Sequence, residues 1–377
     1  MPGANLVTGM DTRWQRVEEV LLTHYHAPDI EAARALYSAF AAHQLSGSPV
    51  WPMIVAPPGS LKTEMLKALE GEKGTHFIDQ ITPNTFISGQ IERPGAASKD
   101  PPGLLHRIGA SGVMVFSDFS TILAMPTDRR GGILADMRRI YDGSLHKEFG
   151  TAATRKSREW KGRITFIVAA TPDVDRYYSI FQSLGERFVM VRCSRPDGTQ
   201  AALAAMRQDG TQAREELRNA VRNLLAGLRS VEPQSPDDIE TQIAALAELV
   251  VRARTHVPRD GHKKEIRYVP EAEAPTRLAQ QLAQLSKGSA LLDNRDIVSG
   301  QDYKLVRRVG MDCIPAARRK VLEYLITGKE SKLAGLPPST RSYAEEELEA
   351  HGLVTGRGDS ANLSIEALGL MSTAGLF

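Results

Sequence analysis

Val50-Trp-Pro-Met-Ile-Val-Ala-Pro-Pro-Gly-Ser-Leu-Lys-Thr63 is the stretch on which the fold turns. Its first six residues form a short apolar run of buried-strand type. Ala56-Pro57-Pro58-Gly59-Ser60-Leu61 then breaks the pattern, and Lys62-Thr63 opens a helical stretch that runs to Leu69. A phosphate-binding loop needs that order of strand, loop and helix. Backbone N–H groups converge on the anion, a lysine adds charge, and a hydroxyl holds Mg²⁺. Lys62 and Thr63 fit the last two roles. The pattern asks for glycine where Ala56 and Leu61 stand, and Leu61 sets a bulky side chain beside the phosphates and restricts the backbone.

Working outward, strand-like runs recur at His76–Ile78, Val113–Phe116, Ile164–Ala170 and Phe188–Val191, with helical stretches such as Gly132–Tyr141 between them. That alternation predicts a parallel sheet covered by helices, an α/β fold. Residues 11–46 read as helical, broken by Ser46-Gly47-Ser48-Pro49. From 200 to 310 the pattern is mainly helical, interrupted by the polar piece Arg259–Val269. The 377 residues are enough for two or three domains. Lys and Arg number 47 against 45 Asp and Glu, so the chain is not a globally basic nucleic-acid coat, although local patches remain open. Cys193 and Cys313 lie far apart without partner spacing, which argues against a disulfide scaffold and a cysteine zinc site. Without an 18-residue apolar run or an apolar N-terminal signal core, the expectation is a cytoplasmic protein with no membrane contact.

Further motifs follow in order. Gly112-Val-Met-Val-Phe-Ser-Asp-Phe119 is an apolar strand ending in an acid. Ile164-Thr-Phe-Ile-Val-Ala-Ala-Thr-Pro-Asp-Val-Asp-Arg-Tyr177 is a strand ending in Thr171-Pro172. Gly185-Glu-Arg-Phe188 follows, and Pro275-Thr-Arg-Leu-Ala-Gln-Gln-Leu282 opens a later helix. Taken in this order, residues 50–310 resemble an AAA+ ATPase. The likeness is to the motor module of minichromosome maintenance helicases and to helicase-like ATPases of phages and mobile elements. The resemblance implies an α/β P-loop AAA+ core at 49–195 behind a helical lead-in at 1–48. A helical lid at 196–312 and a winged-helix domain at 313–377 would follow.

It also implies roles. Pro58, Gly59, Ser60, Leu61, Lys62 and Thr63 would hold ATP, with Thr63, Ser117 and Asp118 on Mg²⁺. One register puts Ser117 and Asp118 at the family's paired acids. The other makes Asp118 the metal ligand and leaves no catalytic acid. Thr171 would sense the γ-phosphate, Arg187 would be the finger reaching a neighbouring subunit's site, and Arg277 would reach the γ-phosphate from the lid. Between the second and third motifs the basic interval Thr127–Arg163 corresponds to a hairpin that enters the ring channel. Lys147, Arg155, Lys156, Arg158 and Lys161 are its candidate DNA-binding residues, and Trp160 is placed either to stack on a base or to lie in the core.

The C-terminal unit resembles a winged helix whose second helix starts near Ser339-Thr340 with a hydroxyl cap and exposes Arg341. Its Glu345, Glu346, Glu347 and Glu349 favour weak DNA contact or a protein partner. The expected activity is that of an ATP-hydrolysing DNA motor, a helicase or translocase of DNA replication or mobile-element maintenance. It would act as a homo-oligomer, a hexamer, around single-stranded DNA. The alternative is a nucleotide-binding, DNA-associated regulator or assembly platform with weak turnover.

Overall fold

The structure, a computed structural model, describes residues 12–88, 103–150, 156–177, 180, 186–194, 197–207 and 209–377. In chain order the strands are β1 (Trp51–Val55), β2 (Thr75–Ile78), β3 (Ser111–Phe116), β4 (Ser144–Phe149), β5 (Lys156–Lys161), β6 (Arg163–Ala170), β7 (Phe188–Arg192), β8 (Val354–Thr355) and β9 (Asn362–Leu363). The helices are α1 (Arg13–His24), α2 (Ile30–Ala41), α3 (Lys62–Lys67), α4 (Leu104–Ile108), α5 (Ser120–Leu123), α6 (Thr127–Tyr141) and α7 (Gly198–Arg207). They continue as α8 (Gly210–Ala226), α9 (Asp237–Arg254), α10 (Thr276–Leu292), α11 (Gly300–Asp312), α12 (Ala316–Thr327), α13 (Pro338–Ala350) and α14 (Ile365–Thr373).

Five of the strands form one parallel sheet in the order β2-β3-β6-β1-β7. All five runs expected from the sequence are in it. Parallel strands need crossovers, and helices on both faces bury the sheet, which is why β1 and β6 read as nearly unbroken apolar segments. Pro52 sits in a central strand without breaking it. β1 pairs with β6 only from Met53 onward, so the missing N–H falls before that ladder begins. Trp51 fills the centre edge-on to Phe166 and Tyr141, with ring centroids 4.4 and 5.0 Å away, and its indole N–H donates to the Ile164 carbonyl at 2.8 Å.

The N-terminal helices are part of this body. α1 packs on α8 and α2 on α10, and one apolar core runs continuously from Trp14 to Ala374. His43, just after α2, bridges Thr165 on β6 and Ser111 on β3 through its two ring nitrogens, at 2.9 and 3.0 Å. Burial and the Arg163 charge hold its pKa down to about 4, against the ordinary 6.5. The fold therefore keeps His43 neutral while the unfolded chain protonates it. Its stabilising contribution is complete above pH 6.5 and is lost as the pH falls toward 4, by about 3 kcal/mol. Urea unfolding across that range should show this loss, and His43→Gln should flatten it. A variant as acid-sensitive as the wild type would remove His43 as the cause.

The C-terminal unit comprises α12 and α13, the two-stranded ribbon β8–β9 and α14. Helix α13 begins after Pro337 with no side-chain cap, so the expected Ser339/Thr340 hydroxyl cap is not there. Pro338, the first helical residue, is already set near helical φ and lacks an N–H, and it starts the helix instead. A network of charges fastens this unit to the sheet. Asp312, almost fully buried, accepts the Arg192 backbone N–H at 2.9 Å and pairs with Arg319 of α12 and with Arg308. Arg308 forks onto Asp29 at 2.6 Å on each arm, and Arg192 forks onto Asp175 at 2.6 and 3.0 Å. The basic run from Tyr303 to Lys320 is thus largely consumed inside the molecule. Among the described residues no helix is long and apolar enough to cross a membrane.

Candidate nucleotide site

Ligands of open α/β sheets bind outside the carboxyl ends of the strands. There β1, β3 and β6 end side by side, and the loop 56–61, Asp118 and Thr171 leave them in turn. Lys62 turns back over this edge. Its ammonium donates to the carbonyls of Ala56 at 2.7 Å and Ala170 at 3.3 Å, the last residues of the β1 and β6 runs. Burial pushes its pKa down, and the charge of nearby Asp118 counters that. Asp118 is exposed. One carboxylate oxygen accepts the Ser120 N–H at 3.0 Å, a local turn that holds the acid at the strand end. Thr171 is joined to the same turn through Ser120, whose Oγ accepts the Thr171 N–H at 3.2 Å. Lys62, Asp118 and Thr171, far apart in sequence, share one edge.

Gly59 takes φ +75°, a conformation open to glycine at little cost, within a turn closed by the Ser60 N–H on the Pro57 carbonyl at 3.3 Å. Leu61 does not strain the loop. It sits at φ −65°, ψ −8° as the residue preceding α3, with its side chain packed partly against the core. Glycine is therefore not needed there for the backbone. The Ser60 hydroxyl is buried and has no hydrogen-bond partner among the described residues. Beside the loop lies a cavity of about 460 Å³, within the range that small-molecule ligands occupy. Lys62, Thr63, the segment Tyr25–Asp29, Cys193 and the alanines of α7 line it. Ala27 is held at φ +44° in that wall, a left-handed strain that the sequence did not signal. Burial works against the Asp29 charge, but Arg308 and the Ser194 N–H hold its carboxyl down to about 2.

Arg187 and Arg277 lie at the other end of the sheet. Arg277 shares a hollow of about 580 Å³ with Pro49, Tyr141, Asp142 and Arg163, at the starts of β1, β4 and β6. From Arg163 to Ala170 is roughly 23 Å at about 3.3 Å per residue, so within one chain Arg277 does not join Lys62. Arg187 precedes β7 at the same end, and its charge and that of Arg277 oppose each other. One guanidinium nitrogen of Arg187 donates to both Asp142 oxygens, at 3.0 and 3.1 Å, and the group lies over the Tyr141 ring at 5.4 Å. Its neighbour Glu186 is pinned to buried Arg254 at 2.8 Å, which orients this turn.

The interval after α6 is a hairpin, β4 paired with β5 from Ser144↔Lys161 to Phe149↔Lys156. Trp160 belongs to the core: it is 4% exposed and its indole N–H donates to the Gly109 carbonyl at 2.7 Å, so it has no face for a base. Lys147 also turns inward, paired with Asp136 and donating to the Pro83 carbonyl at 2.8 Å. This removes it from Arg158, directly opposite on β5, where two like charges would repel. Arg158 is half-buried. Lys161 is exposed and paired with Glu159 at 2.9 Å. Lys156 ends the paired register, and Arg155 lies outside the described residues, as does Gly185 of the fourth motif.

In the C-terminal unit Arg341 is not a free exposed cation. It pairs with Glu345 at 2.7 Å and lies over the Tyr324 ring. Glu346 and Glu347 both pair with Arg259, Glu347 also with Arg318, and Glu349 with Arg357. No protein-family model matches the chain, and no curated protein matches it. The functional reading therefore rests on this geometry.

Proposed function

We propose that the chain is a P-loop ATPase of AAA+ type that works as a ring-forming DNA motor. The observation that carries this reading is that Lys62, Asp118 and Thr171 share the carboxyl edge of a parallel sheet, with Lys62 and the loop before it also lining a cavity of nucleotide size. Lys62 and the loop N–H groups would hold the triphosphate, and the partnerless Ser60 hydroxyl offers one more polar contact. Among the described residues no group of three or more His, Cys, Asp or Glu side chains is placed to hold a metal by itself. Mg²⁺ bound with phosphate needs only one or two carboxylates and hard oxygen donors, which Thr63, Ser117 and Asp118 supply. When bound, the ion neutralises phosphate charge. Asp118 orients the attacking water, and Thr171 sits where a hydroxyl can read the γ-phosphate.

The opposite edge supplies the complementary half. Arg187, paired with Asp142, and Arg277, paired with Glu273 at 3.4 Å, would turn to a neighbouring subunit's triphosphate, which gives Arg277 a role across the interface instead of within its own chain. Of the described candidate contacts on the β4–β5 hairpin, exposed Lys161 would meet single-stranded DNA rather than Trp160 or Lys147, which turn inward. Two helices followed by a β-ribbon support a winged helix at the C-terminus. The full pairing of the α13 carboxylates favours a protein partner over duplex reading.

A second reading is a nucleotide-binding platform with little turnover. The single carboxylate at the β3 end favours it, because half of that group is already engaged by Ser120. ATP turnover measured with and without a single-stranded oligonucleotide separates the two. A motor should turn over faster with DNA, with a salt-sensitive response. Nucleotide binding with flat, DNA-independent turnover supports the platform.

A further inference from the structure

Building on the proposed nucleotide site, we infer that Arg214 is a further binding residue of that site, a guanidinium from the same chain that grips the polyphosphate. Arg214, Arg218 and Arg222 stand four residues apart on α8 and so share one face. That face crosses the loop-bearing helix α3 and the turn after it, and each arginine finds a carboxylate there. Arg214 pairs with Glu64 at 2.8 Å, Arg218 with Glu70 at 3.0 Å and Arg222 with Glu72 at 3.3 Å. The last two pairs fix α8 against α3. Of the three arginines only Arg214 lines the cavity that Lys62, Ser60 and Thr63 line.

The contact Arg214 makes is partial. Its Nε donates to Glu64, while among the described residues neither Nη nitrogen has a hydrogen-bond acceptor, and the side chain is half exposed. A guanidinium held by Nε presents its outer edge, two nitrogens in a rigid fork, and that fork matches two oxygens of a phosphate. The charge of the cavity points to the same ligand. Its two carboxylates are already answered, Asp29 by Arg308 and Glu64 by Arg214. What remains for a ligand is Lys62 and the outer edge of Arg214, both cationic, beside a wall of alanines and the Tyr25–Pro28 segment suited to an uncharged portion. An anion carrying several phosphates and an apolar body fits that arrangement. Glu64 acts as a positioning residue, bracing the fork without covering it.

Calorimetric titration of ATP, ADP and AMP into the full chain, beside Arg214→Ala, Arg214→Lys and Lys62→Ala, tests this. Loss of a charge-assisted fork should weaken ATP binding about ten- to hundredfold in Arg214→Ala. AMP should lose much less, and Arg214→Lys, which keeps the charge but not the fork, should recover part of the ATP affinity. The Arg218 and Arg222 pairs remain, so the thermal midpoint should hold. Wild-type ATP affinity in Arg214→Ala, while Lys62→Ala loses binding, overturns the role of Arg214 and leaves the cavity assignment standing. An equal loss for AMP and ATP overturns polyphosphate as the group contacted. A wild-type chain that takes up no nucleotide at all overturns the site and Arg214 with it.

Discussion

Lys62→Ala should lose nucleotide affinity by at least about a hundredfold and abolish turnover, because it removes a charged donor from a site where burial strengthens every contact. The ammonium lies at the meeting point of two strand ends, within reach of the carbonyls of Ala56 and Ala170. Its removal takes the donor from the Ala56 carbonyl, while the Ala170 carbonyl still accepts the Ala56 N–H at 3.1 Å; the cost of about 1–3 kcal/mol is partly offset by relief of a buried charge. The variant should therefore fold. A thermal scan checks both points at once. ATP should raise the midpoint of the wild type by mass action, and the same ATP should leave the midpoint of Lys62→Ala unmoved. Equal ATP stabilisation of both proteins would remove Lys62 from the site. Lys62→Met, which keeps most of the stem, distinguishes lost charge from lost packing.

Arg187→Ala should do the reverse. Turnover falls about a thousandfold, the scale of a missing transition-state guanidinium, while ATP affinity stays within about twofold because Arg187 lies at the far end of its own sheet. Mixing makes the test sharper. Lys62→Ala should be inactive alone and Arg187→Ala nearly so. In the proposed ring a mixed assembly would contain interfaces where an intact Lys62 of one subunit faces an intact Arg187 of the next, so activity should return on mixing. If the mixture stays inactive, or if Arg187→Ala loses ATP binding, the two edges do not share a site.

The sheet was legible because each of its five strands is a short apolar run, and parallel strands buried on both faces can hardly read otherwise. The loop was legible because Lys62-Thr63 follows such a strand directly. What escaped were facts of long-range pairing. Lys147 belongs by spacing to a basic hairpin, yet Asp136 one helix earlier draws it inward. Trp160 stands among cations in the sequence, and only the nearness of the Gly109 carbonyl shows that its indole is a core group. Arg277 begins the expected helix, but which end of the sheet that helix meets is set by its packing on α2 and by the Gln281 amide donating to the Arg187 carbonyl. Arg214 carried a usable signal in the Arg214–Arg218–Arg222 spacing. Its three glutamates lie some 150 positions earlier, where no local pattern reaches them.

The Asp312 carboxylate pairs with the Arg308 and Arg319 guanidiniums and accepts the Arg192 backbone N–H, while the Arg192 guanidinium donates to the Asp312 main-chain carbonyl; Arg308 reaches onward to Asp29 in the cavity wall and Arg192 to Asp175. A swing of the C-terminal helices away from the sheet would strand a carboxylate in apolar surroundings, at a cost of several kcal/mol. From the cavity wall the ion pairs run unbroken, Asp29 to Arg308, Arg308 to Asp312 and Asp312 to Arg319, so α12 is keyed to that wall as a gear to its shaft.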